Sequence, residues 1–302
     1  MGTGHSHTAA SGHKGRLRLV FGISLTIMLV ELVGSLLTRS VALLAEAGHV
    51  LTDVAGLAFS LIAISLAQRP ATARRTYGWQ RAEILAAMLN AFLLMGVGVF
   101  IIVESIRRLI SPSEVAANDM IAFALLALVG NAAAVWLLVS GQRKSLNIRG
   151  AYLEVLSDLI GSGVVVIASV IIKLTRLHTI DAIAGLIIGA MILPRTWKLL
   201  REALDVLVEA TPKHIDLDVV REHLLDVEGV VDVHDLHAWT ITSGVPVLSA
   251  HVVTSDTLDA TLLGGALLDK LGACVSDHFD IEHSTFQLEP SGHIEHEGKM
   301  HD

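Results

Sequence analysis

Six long apolar stretches interrupt an otherwise polar chain, at residues 17–38, 41–67, 82–108, 120–140, 151–173 and 180–197. A helix needs about 20 such residues to cross the hydrocarbon core of a bilayer, so each stretch is near or above spanning length. The connections between them are short, the longest covering 68–80. Beyond Trp197 the pattern changes. Residues 199–208 still repeat at helical period but carry Arg201, Glu202 and Asp205, with Glu209 just beyond, and Thr211-Pro212 breaks the run. The remainder predicts a helix at 215–227, a turn at Gly229, a strand at 230–241, a turn at Ser243-Gly244, a strand at 245–254, a helix at 258–279 and a strand at 281–289. An αββαβ order suggests a small open-faced α+β sandwich of the ferredoxin-like kind.

The pattern therefore predicts an α-helical polytopic membrane protein with six transmembrane helices and a C-terminal cytoplasmic α+β domain. Its segments are a polar, His-containing stretch at 1–16, a membrane domain at 17–197, a linker helix and αββαβ domain at 198–290, and a polar, His-bearing tail at 291–302 expected to be disordered. The first apolar stretch is long and contains Glu31, so it is expected to stay as the first span and not to be cleaved as a signal peptide. Lys14, Arg16, Arg18, Arg69, Arg74, Arg75, Arg81, Arg143, Lys144, Arg149, Arg195, Lys198, Arg201 and Lys213 fall near one end of the spans; the other end has Arg39, Arg107, Arg108, Lys173 and Arg176. The positive-inside rule then places both termini in the cytoplasm.

Composition sharpens this picture in three ways. Apolar residues make up 52% of 302 positions and mean hydropathy is +0.61, too much for an ordinary soluble domain. The one cysteine, Cys274, excludes an intrachain disulfide framework and any zinc site that needs two thiolates from one chain; it reads as a buried filler. A net charge of -8 argues against a nucleic-acid partner, and with 15 histidines it suits attraction of divalent cations.

The candidate chemistry lies inside the spans. His49 with Asp53, and Glu154 with Asp158, are spaced i, i+4, so each pair lies on one helix face, and Glu46 extends the first face by one turn. Ionisable groups at membrane depth together cost several kcal/mol unless they face the bundle interior and meet something positive. One imidazole nitrogen and three carboxylate oxygens make four ligands, the usual number for Zn²⁺, and an oxygen-rich set also suits Mn²⁺ or Cd²⁺. The alternative is that Glu154 and Asp158 only hydrogen-bond to a serine, an asparagine or a carbonyl. Gly161, Ser162 and Gly163 follow, small residues that let helices approach closely. Asn90 and Asn131 read as interhelical hydrogen-bonding groups or as groups lining the path. Glu31 and Glu104 read as relay groups or as partners of Arg39, Arg107 or Arg108. Tyr77 and Trp79 read as interface anchors.

These residues in this setting resemble the cation diffusion facilitator family, the cation efflux transporters, of the bacterial zinc-transporter type. AEAGHVLTDVAGLAFSLIA is similar to the family's HxxxD helix, with His49 and Asp53 at the ligand positions. TYGWQRAEILAAMLNAFLL at 76–94 resembles its loop and third span, and LLREALDVLVEATP with VVDVHDLHAWTITSG resembles its linker and first cytoplasmic strand. The likeness runs from about Leu17 to Pro290. It implies a homodimeric exporter in the inner or plasma membrane that exchanges a divalent metal, Zn²⁺ first, for protons by alternating access. It implies no enzymatic activity, and no HExxH or paired nucleophile is present. Two features depart from the family. Zinc-transporting relatives often carry a second HxxxD in the fifth span, where this chain has Glu154 in AYLEVLSD, and 140–149 holds no histidine-rich loop. A carboxylate in place of an imidazole should favour harder cations, which leaves Mn²⁺, Co²⁺ and Cd²⁺ open beside Zn²⁺.

In the soluble domain the resemblance points to His234, His251, Gln287 and Glu289, positions where family members bind regulatory metal. Period-2 alternation puts His283, Gln287 and Glu289 on one face of the last strand, and places His234 and His237 on opposite faces. A two-histidine, one-carboxylate cluster is the expected zinc site. His5, His7, His13, His293, His296 and His301 near the termini read either as transient metal captors or as solvated residues. The rival readings are a membrane metalloenzyme, and a metal sensor whose soluble domain carries the function.

Overall fold

A computed structural model describes residues 7–139, 146–255 and 265–293. Six long helices come first: α1 (His7–Thr38), α2 (Val41–Ala67), α3 (Ala82–Ile110), α4 (Ala117–Val139), α5 (Leu146–Thr175) and α6 (Thr179–Leu207). They are followed by α7 (Leu217–Leu225), β1 (Val230–Thr240), β2 (Pro246–Thr254), α8 (Gly265–Phe279) and β3 (His283–Pro290). All six long helices are long and apolar enough to cross a membrane. Two differ most from the expected bounds. α1 begins at His7, ahead of its apolar part, and α6 continues past Trp197 to Leu207, so the change at 197 is one of surface chemistry within a single helix. His5, His296 and His301 lie outside the described residues, as do the side chains of His7 and His13.

The chain divides into two compact units, one of residues Met1–Phe59 and Leu89–Leu199, the other of Ser60–Met88 and Leu200–Asp302. In the first unit α4 packs against both α1 and α5. Its core joins Leu43, Ile101, Met120, Ile172 and Ile188. The outward faces are apolar too, with Leu36, Val103, Val129, Trp136 and Ile167 exposed, which is the surface a helix shows to acyl chains. Polar groups inside are paired across helices where they can be: Asn131 donates to Ser162 Oγ at 3.0 Å, as its type and setting predict. Asn90 presses its amide against Gly56, where a Cβ would collide. Glu104 holds Arg108 at 2.9 Å and Arg107 at 3.7 Å. Glu31 is instead fully buried, with Oε2 unpartnered. The start of α2 is tied to α6, because Asp181 accepts from Ser40 Oγ at 2.5 Å and from the backbone N–H of Val41 at 2.7 Å.

The soluble part of the second unit has the expected αββαβ order and α+β class. Asp216 caps α7 by accepting from the Asp218 N–H at 3.0 Å. The sheet runs β1-β2-β3, with β1 and β2 antiparallel and β2 and β3 parallel through the α8 crossover. α7 and α8 cover one face, burying Val220, Leu224, Leu248, Ala250, Val252, Leu271 and Val275. Alternation then directs His251, Gln287 and Glu289 to the other face.

One expectation fails here. β1 carries an extra residue between His234 and His237, which pair with His251 and Ser249, and Asp235 at the kink has φ +47. The bulge resets the alternation, so His234 and His237 share a face instead of opposing one another. The second unit also contains the connection between α2 and α3, whose Tyr77 hydroxyl lies 3.4 Å from His283 Nε2. Arg81 pairs with Glu209 at 2.6 Å, and Thr242 donates to Glu83 at 2.6 Å.

Candidate metal centre

The helical spacing of α2 sets His49 and Asp53 one turn apart, and their Nε2 and Oδ2 atoms lie 3.8 Å from each other. α5 brings Asp158 to the same point, with Oδ1 at 3.5 Å from His49 Nε2. One donor atom from each residue lies within 4.8 Å of the others. Four ligands on a tetrahedral ion with bonds of about 2.1 Å stand about 3.4 Å apart, so the spacing suits a small divalent cation. His49 and Asp158 are 8% and 4% exposed. His49 Nδ1, Asp53 Oδ2 and Asp158 Oδ1 are buried without a hydrogen-bond partner. Such groups cost about 1–3 kcal/mol each, and a cation bound among them offsets that cost.

Glu154, one turn before Asp158, does not join these three. Its Oε1 lies 3.7 Å from Arg195 Nη2 on α6, and its side chain is 39% exposed. It lines the same groove of about 310 Å³ as Asp53 and Asp158, between α1, α2 and α5. Glu46 lies on the other side, in a small cavity shared with His49, Ser157, Gly161 and Arg195. A Cβ at Gly161 would overlap the Glu46 carboxylate, so glycine there is what admits a buried acid beside α5. Gly161→Ala is therefore expected to destabilise the protein by about 1–3 kcal/mol. The thermal midpoint of the purified protein should fall, and Glu46→Ala in the same chain should recover part of the loss; an unchanged midpoint would show that Glu46 moves aside freely.

The soluble domain holds a second cluster. His234, His251 and Glu289 also place one donor atom each within 4.8 Å of one another. Glu289 lies against both imidazoles, with Oε1 2.9 Å from His251 Nδ1 and Oε2 3.4 Å from His234 Nε2. Gln287 donates to Glu289 Oε1 at 2.8 Å and so orients the carboxylate. His283 faces Tyr77, and no described metal-type cluster includes it or His293. Sequence reasoning missed Asp235, which the bulge turns to 3.6 Å from His251 and 2.8 Å from His237. It also missed Arg195 as a neighbour of the α2–α5 site, counting it only as a topogenic charge. Cys274 stands apart from both clusters and donates to the His223 carbonyl at 3.6 Å. Burial and then the nearby Asp226 and Asp277 raise its thiol above the usual range, which suits an inert residue.

Six spanning helices around a buried imidazole and carboxylate group, with a small α+β domain attached, define a multi-pass membrane transporter of metal cations. The chain belongs to the cation efflux family. The family model for the cation efflux transmembrane domain matches residues 17–208, and that for the cation efflux protein cytoplasmic domain matches 212–291. The metal cation efflux system protein CzcD of Cupriavidus metallidurans is 42% identical over 96% of this chain and 90% of its own length. Zinc transporter ZitB of Escherichia coli is 38% identical over 94% and 92%. A cadmium, cobalt and zinc/H(+)-K(+) antiporter of Bacillus velezensis is 36% identical over 96% and 93%. The protein is thus a metal exporter and not an enzyme.

Proposed function

We propose that the protein exports Zn²⁺ from the cytoplasm in exchange for protons, binding the ion between α2 and α5 through His49, Asp53 and Asp158, with Glu154 as the fourth ligand. The observation that carries this reading is the close group of His49 Nε2, Asp53 Oδ2 and Asp158 Oδ1, in which both carboxylate oxygens are buried without hydrogen-bond partners. Its chemistry supports proton exchange. An imidazole has an unperturbed pKa near 6.5 and must be neutral to bind metal, so protons and metal compete for one site. Names of relatives support both halves: one is a zinc transporter, another an antiporter of cadmium, cobalt and zinc against H⁺ and K⁺. The second cluster, His234, His251 and Glu289 held by Gln287, is assigned to a regulatory Zn²⁺ on the soluble domain, with His283 at its margin. The same reading takes the chain as a homodimer in the inner membrane with both termini cytoplasmic, its membrane domain at 17–197 and its soluble domain at 198–290.

The test is flux of Zn²⁺, Mn²⁺, Co²⁺ and Cd²⁺ into proteoliposomes across an imposed pH gradient, for the native chain and for Glu154→His. Uptake should depend on the gradient. Glu154→His should raise the preference for Zn²⁺ over Mn²⁺ by roughly tenfold, because an imidazole nitrogen replaces a hard oxygen. Unchanged selectivity would remove Glu154 from the coordination shell, and flux indifferent to the gradient would remove the proton.

A further inference from the structure

We propose that Arg195 is an internal competitor of the transported cation, holding Glu154 away from the site until the ion displaces it. This rests on the reading that His49, Asp53 and Asp158 bind the ion. Arg195 touches both sides of the site. It lines the small cavity that contains His49, Glu46 and Gly161, and its guanidinium reaches Glu154 at 3.7 Å. Glu154 is the one carboxylate of the four-residue set that stays outside the close group, and it is the one with an arginine. It lies a single helical turn from Asp158, so rotation of its long side chain would bring the carboxylate toward the other three without moving the backbone.

A divalent ion at His49, Asp53 and Asp158 attracts Glu154 and repels the guanidinium, so loading exchanges one cation for another at Glu154. Unloading runs in reverse, with Arg195 recapturing Glu154 and withdrawing a ligand. The arrangement answers a general need of carriers, which must bind an ion well enough to accept it and weakly enough to let it leave. A guanidinium competing for one of the three carboxylates weakens the grip on the ion relative to the same four groups without it. The backbone favours such movement. Pro194 stands inside α6 immediately before Arg195 and cannot donate to the carbonyl of the preceding turn, which loosens the helix at that point.

Arg195 is on this account a positioning residue, and its signature is a split between KM and kcat that depends on Glu154. The experiment measures Zn²⁺ flux in proteoliposomes for Arg195→Gln, Glu154→Gln, the double variant and Arg195→Lys. Arg195→Gln should lower KM by about fivefold, the scale of a half-exposed ion pair, and lower kcat with it. In the Glu154→Gln background the same change should leave KM unaltered, and Arg195→Lys, which keeps the charge, should remain near native. An equal KM shift in both backgrounds, or no shift in either, overturns the competition. Normal flux by Asp158→Asn would instead overturn the transport site itself, whatever Arg195 does.

Discussion

Asp158→Asn is expected to reduce metal flux by more than about 100-fold while leaving the protein as stable as before or more so. Losing an outer partner of a metal ligand already lowers affinity or activity about 10- to 100-fold, and a ligand itself contributes more. Asparagine keeps the volume of aspartate, so packing at this 4% exposed position is undisturbed. What changes is charge. The close group falls from two carboxylates to one beside a neutral imidazole, which no longer offsets the desolvation of a divalent ion. The same loss relieves the folded state, since Asp158 is buried with Oδ1 unpartnered and the substitution takes away an uncompensated buried charge. Function and stability therefore move in opposite directions, the mark of a site kept for its ion. Zn²⁺ flux in proteoliposomes and the thermal midpoint of the purified variant decide the matter together. Lost flux with a lowered midpoint would make Asp158 structural, and retained flux would remove it from the transport path. His234→Ala on the soluble domain should keep flux; a chain that tolerates Asp158→Asn and fails with His234→Ala would be a sensor.

The parts of this architecture that were legible in the sequence are those written at short range. Six spans follow from apolar length, and the αββαβ order from turn residues at Gly229 and Ser243-Gly244. His49 and Asp53 fall together because four residues make about one turn. Meeting of α2 and α5 at His49 and Asp158 is a different kind of fact, since no spacing within one helix encodes which helix it faces; the family likeness supplied it. Arg195 was invisible for the same reason. It arrives from α6, thirty-seven positions beyond Asp158, and reads in isolation as one more charge at a membrane boundary. The bulge in β1 was illegible because one extra residue is only defined against its partner strand, and it reverses which face every later residue of β1 occupies. The bulge is what sets Asp235 against both His251 and His237. The sixth span expected to end at 197 and the linker helix expected after it are one continuous helix, α6, which runs ten residues past the apolar pattern.

Asp181→Ala should be the most damaging substitution away from the donor groups, destabilising the protein by about 3–5 kcal/mol, the range for removing one partner of a buried charged network. Asp181 is 1% exposed and satisfies three groups at the start of α2: Ser40 Oγ at 2.5 Å, the Val41 N–H at 2.7 Å and the Ala42 N–H at 3.3 Å. Arg108 approaches Oδ2 of the same carboxylate at 3.9 Å, while also donating to the Arg39 carbonyl and pairing with Glu104. The first N–H groups of a helix have no partner within it, and a carboxylate there is favoured by the helix dipole as well. Alanine leaves those donors and a guanidinium facing a gap. Asp181→Asn keeps one oxygen acceptor and should lose less. Thermal unfolding of the purified variants reads the order native, Asn, Ala, and an alanine variant with a native midpoint would show that the network is dispensable. The consequence reaches the transport site because His49 lies eight residues along the same helix from Val41, a rise of about 12 Å. The rotation that points His49 at Asp158 is set partly from this end. Asp181→Asn should accordingly raise the KM for Zn²⁺ even where the folded protein survives, so that a defect in helix capping is read out as a defect in ion binding.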